Sequence, residues 1–261
     1  MQLHFYKYEA TGNDFVLLDN RKANIKLSVA QIRKICDRRF GVGADGLMLI
    51  ENHPGLDFNL VYYNSDGSQS LCGNGARAAV KMASSLGLIN GHASFNAHDG
   101  GHEAEILPQE IVKLKMNDVR EAKQLGDDWF IHTGSPHLIK FVKNVAEYPV
   151  VQEGSRIRYS ADYAPAGTNV NFVELLPGNT LFVRTYERGV ENETQSCGTG
   201  VTAAALASHA FGYKSPVHIK SSGGDLTVEF KAGQSGSHEA AFHDIFLVGP
   251  AKMVFQGDLE I

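Results

Sequence analysis

Two segments of this chain begin alike, nearly half its length apart. Residues 72–87 read CGNGARAAVKMASSLG and residues 197–212 read CGTGVTAAALASHAFG, and their cysteines are 125 residues apart. Each opens Cys-Gly-x-Gly and continues in small residues, chiefly alanine. Self-similarity at a fixed offset marks an internal repeat. Two copies imply two related halves rather than a solenoid. A polar stretch precedes each copy, NSDGSQSL before Cys72 and ENETQS before Cys197.

Around these helices the chain is rich in strands. Residues 15–19 (FVLLD) and 58–64 (FNLVYYN) are apolar, aromatic and β-branched, as strands are. Between them, Ser28 caps a helix with Val29, Ile32, Ile35 and Cys36 on one face, and Gly41 ends it. The alternating IVKLKM (111–116) follows, then WFIHTG, HLIKFV, NVNFVEL and TLFVRTY. The last third adds VHIKSS, LTVEF, DIFLVG and KMVFQGDLEI. The fold class expected is α/β (α+β). A polar, irregular stretch over residues 115–125 puts the boundary there. The expected halves are 1–117, joined by a returning strand at 250–261, and 118–249.

The repeated motif points to chemistry. A helix start presents unpaired N–H groups and the positive end of the helix dipole. A cysteine there favours the thiolate, and glycines beside it let an anion reach the backbone. The plain alternative is a small buried hydrophobe at a tight turn. One such cysteine fits that alternative well, and two matching copies fit it poorly. Cys36 is the internal control, expected mid-helix on the apolar face. Inverting a stereocentre needs a base on one face of a carbon and an acid on the other. Two thiols, one ionised and one protonated, serve in both directions. Two helix starts would stabilise charge moving onto the substrate carboxylate.

Polar loops add recognition groups. Asn13, Asn64 and Asn169 lie in ATGNDF, YNSDGS and APAGTNVNF, and Glu187-Arg188 lies in RTYERG. Arginine grips a carboxylate through two N–H bonds, and asparagine or glutamate accepts from an ammonium. Each asparagine taken alone reads more readily as a turn-former. His137, in TGSPHL, can serve a thiol as a base, or be simply hydrogen-bonded.

Other patterns carry less. Residues 41–46 (GVGADG) match a dinucleotide fingerprint in letters, but lie between a helix and a strand, the reverse of what that motif needs. His98 and His102 are four apart across Asp99-Gly100-Gly101, which is no helix, so a zinc pair is not expected. The net charge is −5, giving no basic footprint for nucleic acid. No apolar run reaches the roughly 18 residues of a membrane span. The first residues lack the pattern of a signal peptide. Three cysteines are too few and odd-numbered for a disulfide framework, so reduced thiols in the cytoplasm are expected.

Taken together, FYKYEATGNDFVLLDN, RRFGVGADGLMLIE, YNSDGSQSLCGNGAR, APAGTNVNFVE and RTYERGVENETQSCGTG resemble the diaminopimelate epimerase family. The resemblance implies two pseudo-symmetric, strand-rich, barrel-like domains, each around a central helix, with the active site in the cleft between them. It implies interconversion of LL- and meso-diaminopimelate, for lysine and cell-wall synthesis, without cofactor or metal. Cys72 and Cys197 would be the proton donor and acceptor. Gly73, Asn74, Gly198 and Thr199 would give N–H groups to the reacting carboxylate. Asn13, Asn64, Asn169, Glu187 and Arg188 would hold the distal head, and His137 and Glu187 would assist the thiols. The partner implied is a small amino acid, and the family suggests a homodimer.

The sequence departs from the family in places. The 64–72 loop is one residue shorter than in many members. Gly46 stands where some have glutamine, and Ser135 where asparagine is common. A proline or hydroxyproline racemase shares the paired cysteines but needs no site for a second amino-acid head. Phenazine-biosynthesis-like isomerases share the fold and need not keep both cysteines. A thiol redox module, closing a reversible Cys72–Cys197 disulfide, is the reading from a different class.

Overall fold

In the computed structural model, residues 2–22, 24–69, 72–233 and 241–261 are described. The chain divides into two compact units, Met1–Leu114 with Gly249–Ile261, and Lys115–Val248.

The first unit contains β1 (Gln2–Ala10), β2 (Asn13–Asp19), α1 (Val29–Cys36), β3 (Gly46–His53), β4 (Leu56–Asn64), α2 (Gly73–Ser85), β5 (His92–Ala97), β6 (Gly100–Leu107) and β7 (Ile111–Lys115). Strand β17 (Lys252–Glu260) returns to it and pairs antiparallel with β1. From β1 onward the pairings run antiparallel, parallel, antiparallel, parallel, antiparallel and antiparallel as far as β7. Parallel neighbours need a crossover. Helix α1 supplies the one between β2 and β3, and α2 the one between β4 and β5.

The second unit contains β8 (Ala122–Leu125), β9 (Asp128–His132), β10 (Pro136–Phe141), α3 (Val150–Arg158), β11 (Asn169–Leu176), β12 (Thr180–Glu187), β13 (Asn192–Thr194), α4 (Gly198–Ser208), β14 (Val217–Ser221), β15 (Gly224–Ala232) and β16 (Phe242–Pro250). From β9 through β10, β11, β12, β14 and β15 to β16 the pairings repeat the same order of antiparallel and parallel. Here α3 and α4 are the crossovers. The repeat read from the two cysteine motifs is therefore a repeat of topology, and each motif opens the second crossover helix of its unit.

Each unit covers both faces of its middle strands. Val16, Leu18, Leu47 and Leu49 pack with Ile32, Ile35 and Cys36 of α1 in one cluster. The opposite face meets α2, which touches strands β1 to β4, β6 and β17. Strands covered on both sides read as continuous apolar runs, and residues 47–50 (LMLI) are buried throughout. In the second unit Val170 and Phe172 pack with Val150 and Ile157 of α3, while α4 lies against β9 to β12, β14 and β15. Small residues let strands close around a helix. Ten of the eleven residues of α4 are buried, so this helix has no polar face.

The first helix differs from its expected form in three details. A capping box between Ser28 and Gln31 starts it, but it stops at Cys36, and Gly41 lies beyond its end. The left-handed residue of the following turn is Gly43, at φ +78°. Val29 is 48 % exposed, because the first turn overhangs the cluster that Ile32 and Ile35 enter. Cys36 is the final helical residue rather than a central one. It is buried in the apolar cluster, and burial pushes its thiol up to about 11.

Candidate active site

Both motif cysteines are N-cap residues, in nearly the same backbone conformation. Cys72 has φ −127° and ψ 114°, and Cys197 has φ −118° and ψ 109°. Each carbonyl accepts the first helical bond, from Ala76 and Val201 respectively. An extended N-cap aims its side chain back over the first turn, where a helix has N–H groups without carbonyl partners. The Gly75 N–H donates to Cys72 Sγ at 3.4 Å. The residue two beyond each cysteine is tied to the second strand of the repeated pattern, by different chemistry in each unit.

In the first unit, Asn74 Nδ2 donates to Asn13 Oδ1 at 2.5 Å, and Asn13 Nδ2 donates to Asp45 Oδ2 at 2.9 Å. Arg38 bridges Asp45 and Asp14, and Lys7 also pairs with Asp14. Burial alone would raise the Asp14 carboxyl, but the bonds from Arg38 and Lys7 bring it down to about 2. Asp45 belongs to the GVGADG turn, which thereby anchors the Asn13–Asn74 pair. Asn64 ends β4 and donates to Ser68 Oγ at 2.9 Å, while its backbone N–H bonds the Ser68 carbonyl, so it shapes its own turn. Ser70 and Leu71, between β4 and α2, lie outside the described residues.

Position 46 has a local explanation. A Cβ there would lie 2.5 Å from Tyr62 Cε2 and 2.6 Å from its hydroxyl oxygen. The Tyr62 ring occupies the space that a longer side chain at 46 needs.

In the second unit, Cys197 Sγ lies 3.5 Å from Thr199 Oγ1, and Thr199 Oγ1 lies 2.9 Å from His137 Nε2. His137 reaches the sulfur through that hydroxyl. Its Nδ1 lies 3.1 Å from Asn171 Nδ2, which also donates to the Leu138 carbonyl at 3.2 Å. Asn171 Oδ1 in turn accepts from Thr185 Oγ1 at 2.8 Å. His137 is fully buried. Burial first, then the charges of His132 and Arg188, bring it down to about 3. It is therefore a neutral imidazole at ordinary pH, and its role as a base has to be read through that state.

Asn169, opposite His137 in the parallel register, donates to Ser135 Oγ and to the Pro136 carbonyl, both at 2.9 Å. Its Oδ1 accepts from the Arg188 N–H at 2.9 Å. Ser135 therefore supports Asn169, and Asn169 positions Arg188. The Arg188 guanidinium donates to the Ala166 carbonyl at 3.3 Å. Glu187 ends β12 and accepts from Thr194 Oγ1 at 3.0 Å.

Asp45, Asn171 and Thr185 join the site only through the fold. A signal for Asn171 did exist. In TNVNF, Asn169 and Asn171 are two apart on a strand and so share a face, and polar residues there need partners. Among the described residues, His, Cys, Asp and Glu nowhere gather in threes that could hold a metal ion. Among them, too, no helix is long and apolar enough to cross a membrane.

Two N-capping cysteines on equivalent crossover helices frame the comparison with known proteins. The sequence profile described as diaminopimelate epimerase matches residues 5–120 and 129–254. The chain belongs to the diaminopimelate epimerase family. The chain is 46% identical over 258 residues to the diaminopimelate epimerase of Flavobacterium psychrophilum, covering 97% of this chain and 99% of that one. The enzyme of the same name from Chlorobaculum tepidum is 40% identical, over 96% of this chain and 98% of its own.

Solved structures share the fold across wider distances. A Bacillus anthracis phenazine biosynthesis protein of the PhzF family has a TM-score of 0.79 at 15% identity, with both chains covered in full. A hydroxyproline epimerase from Agrobacterium vitis has a TM-score of 0.71 at 14% identity, over 99% of this chain and 92% of that one. At such identities the likeness is one of fold.

Proposed function

We propose that this chain interconverts LL- and meso-diaminopimelate by moving one proton off, and another onto, a single α-carbon. The observation that carries the reading is the matched pair of cysteine N-caps within a full-length family match. One sulfur, as thiolate, takes the α-hydrogen as a proton. The C–H electron pair stays on carbon, delocalised into the carboxylate. The other sulfur, as thiol, gives its proton to the opposite face, and its S–H pair stays on sulfur. After one turnover the thiol and thiolate have changed places, ready for the reverse direction.

The two units are read as the two halves of this enzyme, each supplying one of the two sulfurs. First-turn N–H groups at Gly73, Asn74, Gly198 and Thr199 would stabilise charge gathering on the substrate carboxylate. Asn13, Asn64, Asn169, Glu187 and Arg188 would hold the distal amino-acid head. Asn169 uses both amide hydrogens within its own unit, so its contribution is one oxygen lone pair and the placing of Arg188. Exclusion of water would protect the carbanion-like intermediate. The partner is then a small amino acid, in the cytoplasm, where thiols stay reduced.

Alanine variants test the pair. Cys72→Ala and Cys197→Ala should each lose turnover by about a hundred- to ten-thousandfold, the range that a positioned acid or base contributes, with the circular dichroism spectrum unchanged. Near-normal turnover in either variant would remove the two-thiol mechanism. A protein that shows no turnover under reductant, yet binds a partner according to thiol oxidation, would be a redox module instead.

A further inference from the structure

The second unit contains a hydrogen-bond chain whose direction is fixed at one end. Asn171 Nδ2 faces the Leu138 carbonyl, which can only accept, so that end of the amide is the NH2 group. The same NH2 group faces His137 Nδ1, which must therefore be the acceptor nitrogen. The Thr185 hydroxyl donating to Asn171 Oδ1 agrees with that orientation. A neutral imidazole that accepts at Nδ1 carries its hydrogen on Nε2. That hydrogen points to Thr199 Oγ1, 2.9 Å away. The Thr199 oxygen is then occupied as an acceptor, and its own hydrogen is available toward Cys197 Sγ at 3.5 Å.

We infer that Asn171 and His137 are positioning residues that turn the Thr199 hydroxyl into a hydrogen-bond donor to the Cys197 sulfur. The chain stabilises the thiolate of Cys197 over its thiol. It helps that sulfur release its proton in one direction and hold its charge before taking one in the other. Space for the chain is built in: a Cβ at Gly200 would lie 2.3 Å from Asn171 Oδ1. The corresponding residue of the first unit, Asn74, instead donates to Asn13. The two sulfurs are thus supported by different groups, and the charges acting on the ring are those of His132 on β9 and Arg188 beyond β12.

The inference rests on reading Cys197 as a proton-transfer group, and it can be tested without substrate. In the reduced full-length protein, iodoacetamide alkylation followed by peptide mass mapping gives separate rates for Cys72 and Cys197. Thr199→Val should slow alkylation of Cys197 about tenfold at neutral pH, the effect of one hydrogen bond to a charged group, and move its rate profile to higher pH. Thr199→Ser should restore both, and Cys72 should change less than about twofold, being bonded within its own unit. An unchanged Cys197 profile in Thr199→Val would overturn the inference. Nitrogen-15 spectra of the unsubstituted protein give a second check independent of any variant. His137 should show its proton on Nε2, and a proton on Nδ1 would overturn the assignment. If these readouts hold while α-proton exchange on diaminopimelate is absent, the epimerase reading fails instead.

Discussion

His137 links the candidate site to the stability of the whole second unit. In the unfolded chain a histidine takes a proton near pH 6.5, whereas folded His137 does so only at about 3. Between those values the unfolded state binds more protons, so stability falls as pH drops through that window. The contribution is fully present above the unfolded value. Its size is on the order of a few kcal/mol, from the 1.36 kcal/mol that each pH unit of difference carries. We expect denaturant midpoints to fall between about pH 6.5 and pH 3. In His137→Gln, which cannot titrate, the fall over that window should be shallower. Equal slopes in the two proteins would show that the ring is not held neutral.

At the level of strands and helices, close packing explains both what the sequence revealed and what it hid. The β3–β4 pair places Tyr62 over Gly46, with no room for a Cβ. Gly46→Gln should destabilise this chain by about 1–3 kcal/mol, the ordinary cost of overpacking. Thermal denaturation checks this, and Gly46→Gln with Tyr62→Ala should recover part of the loss. An unchanged melting temperature in the single variant would mean that Tyr62 does not fill this space. The helices at Gly73 and Gly198 were legible because glycine and alanine runs after a cysteine have few alternative readings. The end of α1 was not, since Gly41 and Gly43 both suit a turn and only backbone geometry selects Gly43. The pairing of Asn171 with His137 was hidden for another reason. It depends on parallel register between β10 and β11, which residue types do not encode.

For the chain as a whole, the 125-residue offset between the cysteines is the visible trace of a doubled topology. Six successive pairings, from β1 to β7 and from β9 to β16, repeat in the same order of directions. In the proposed mechanism, doubling supplies what stereochemical inversion requires, the same acid–base group twice. The halves have nonetheless diverged around it. Asn13, Asn74 and Asp45 support one helix start, while His137, Asn171 and Thr185 support the other. Motif spacing exposed the shared part, the two cysteines. The supporting groups differ between halves, and so were not found by comparing one half with the other.

The proposed mechanism requires two separate sulfurs to serve one carbon. Turnover of LL-diaminopimelate in deuterated water, stopped at low conversion, tests it most directly. The meso product should carry solvent deuterium at the inverted carbon, while the unreacted LL isomer remains almost unlabelled. Product that retains its original hydrogen, or label appearing equally in both isomers, would mean that a single group handles the proton, and would contradict it.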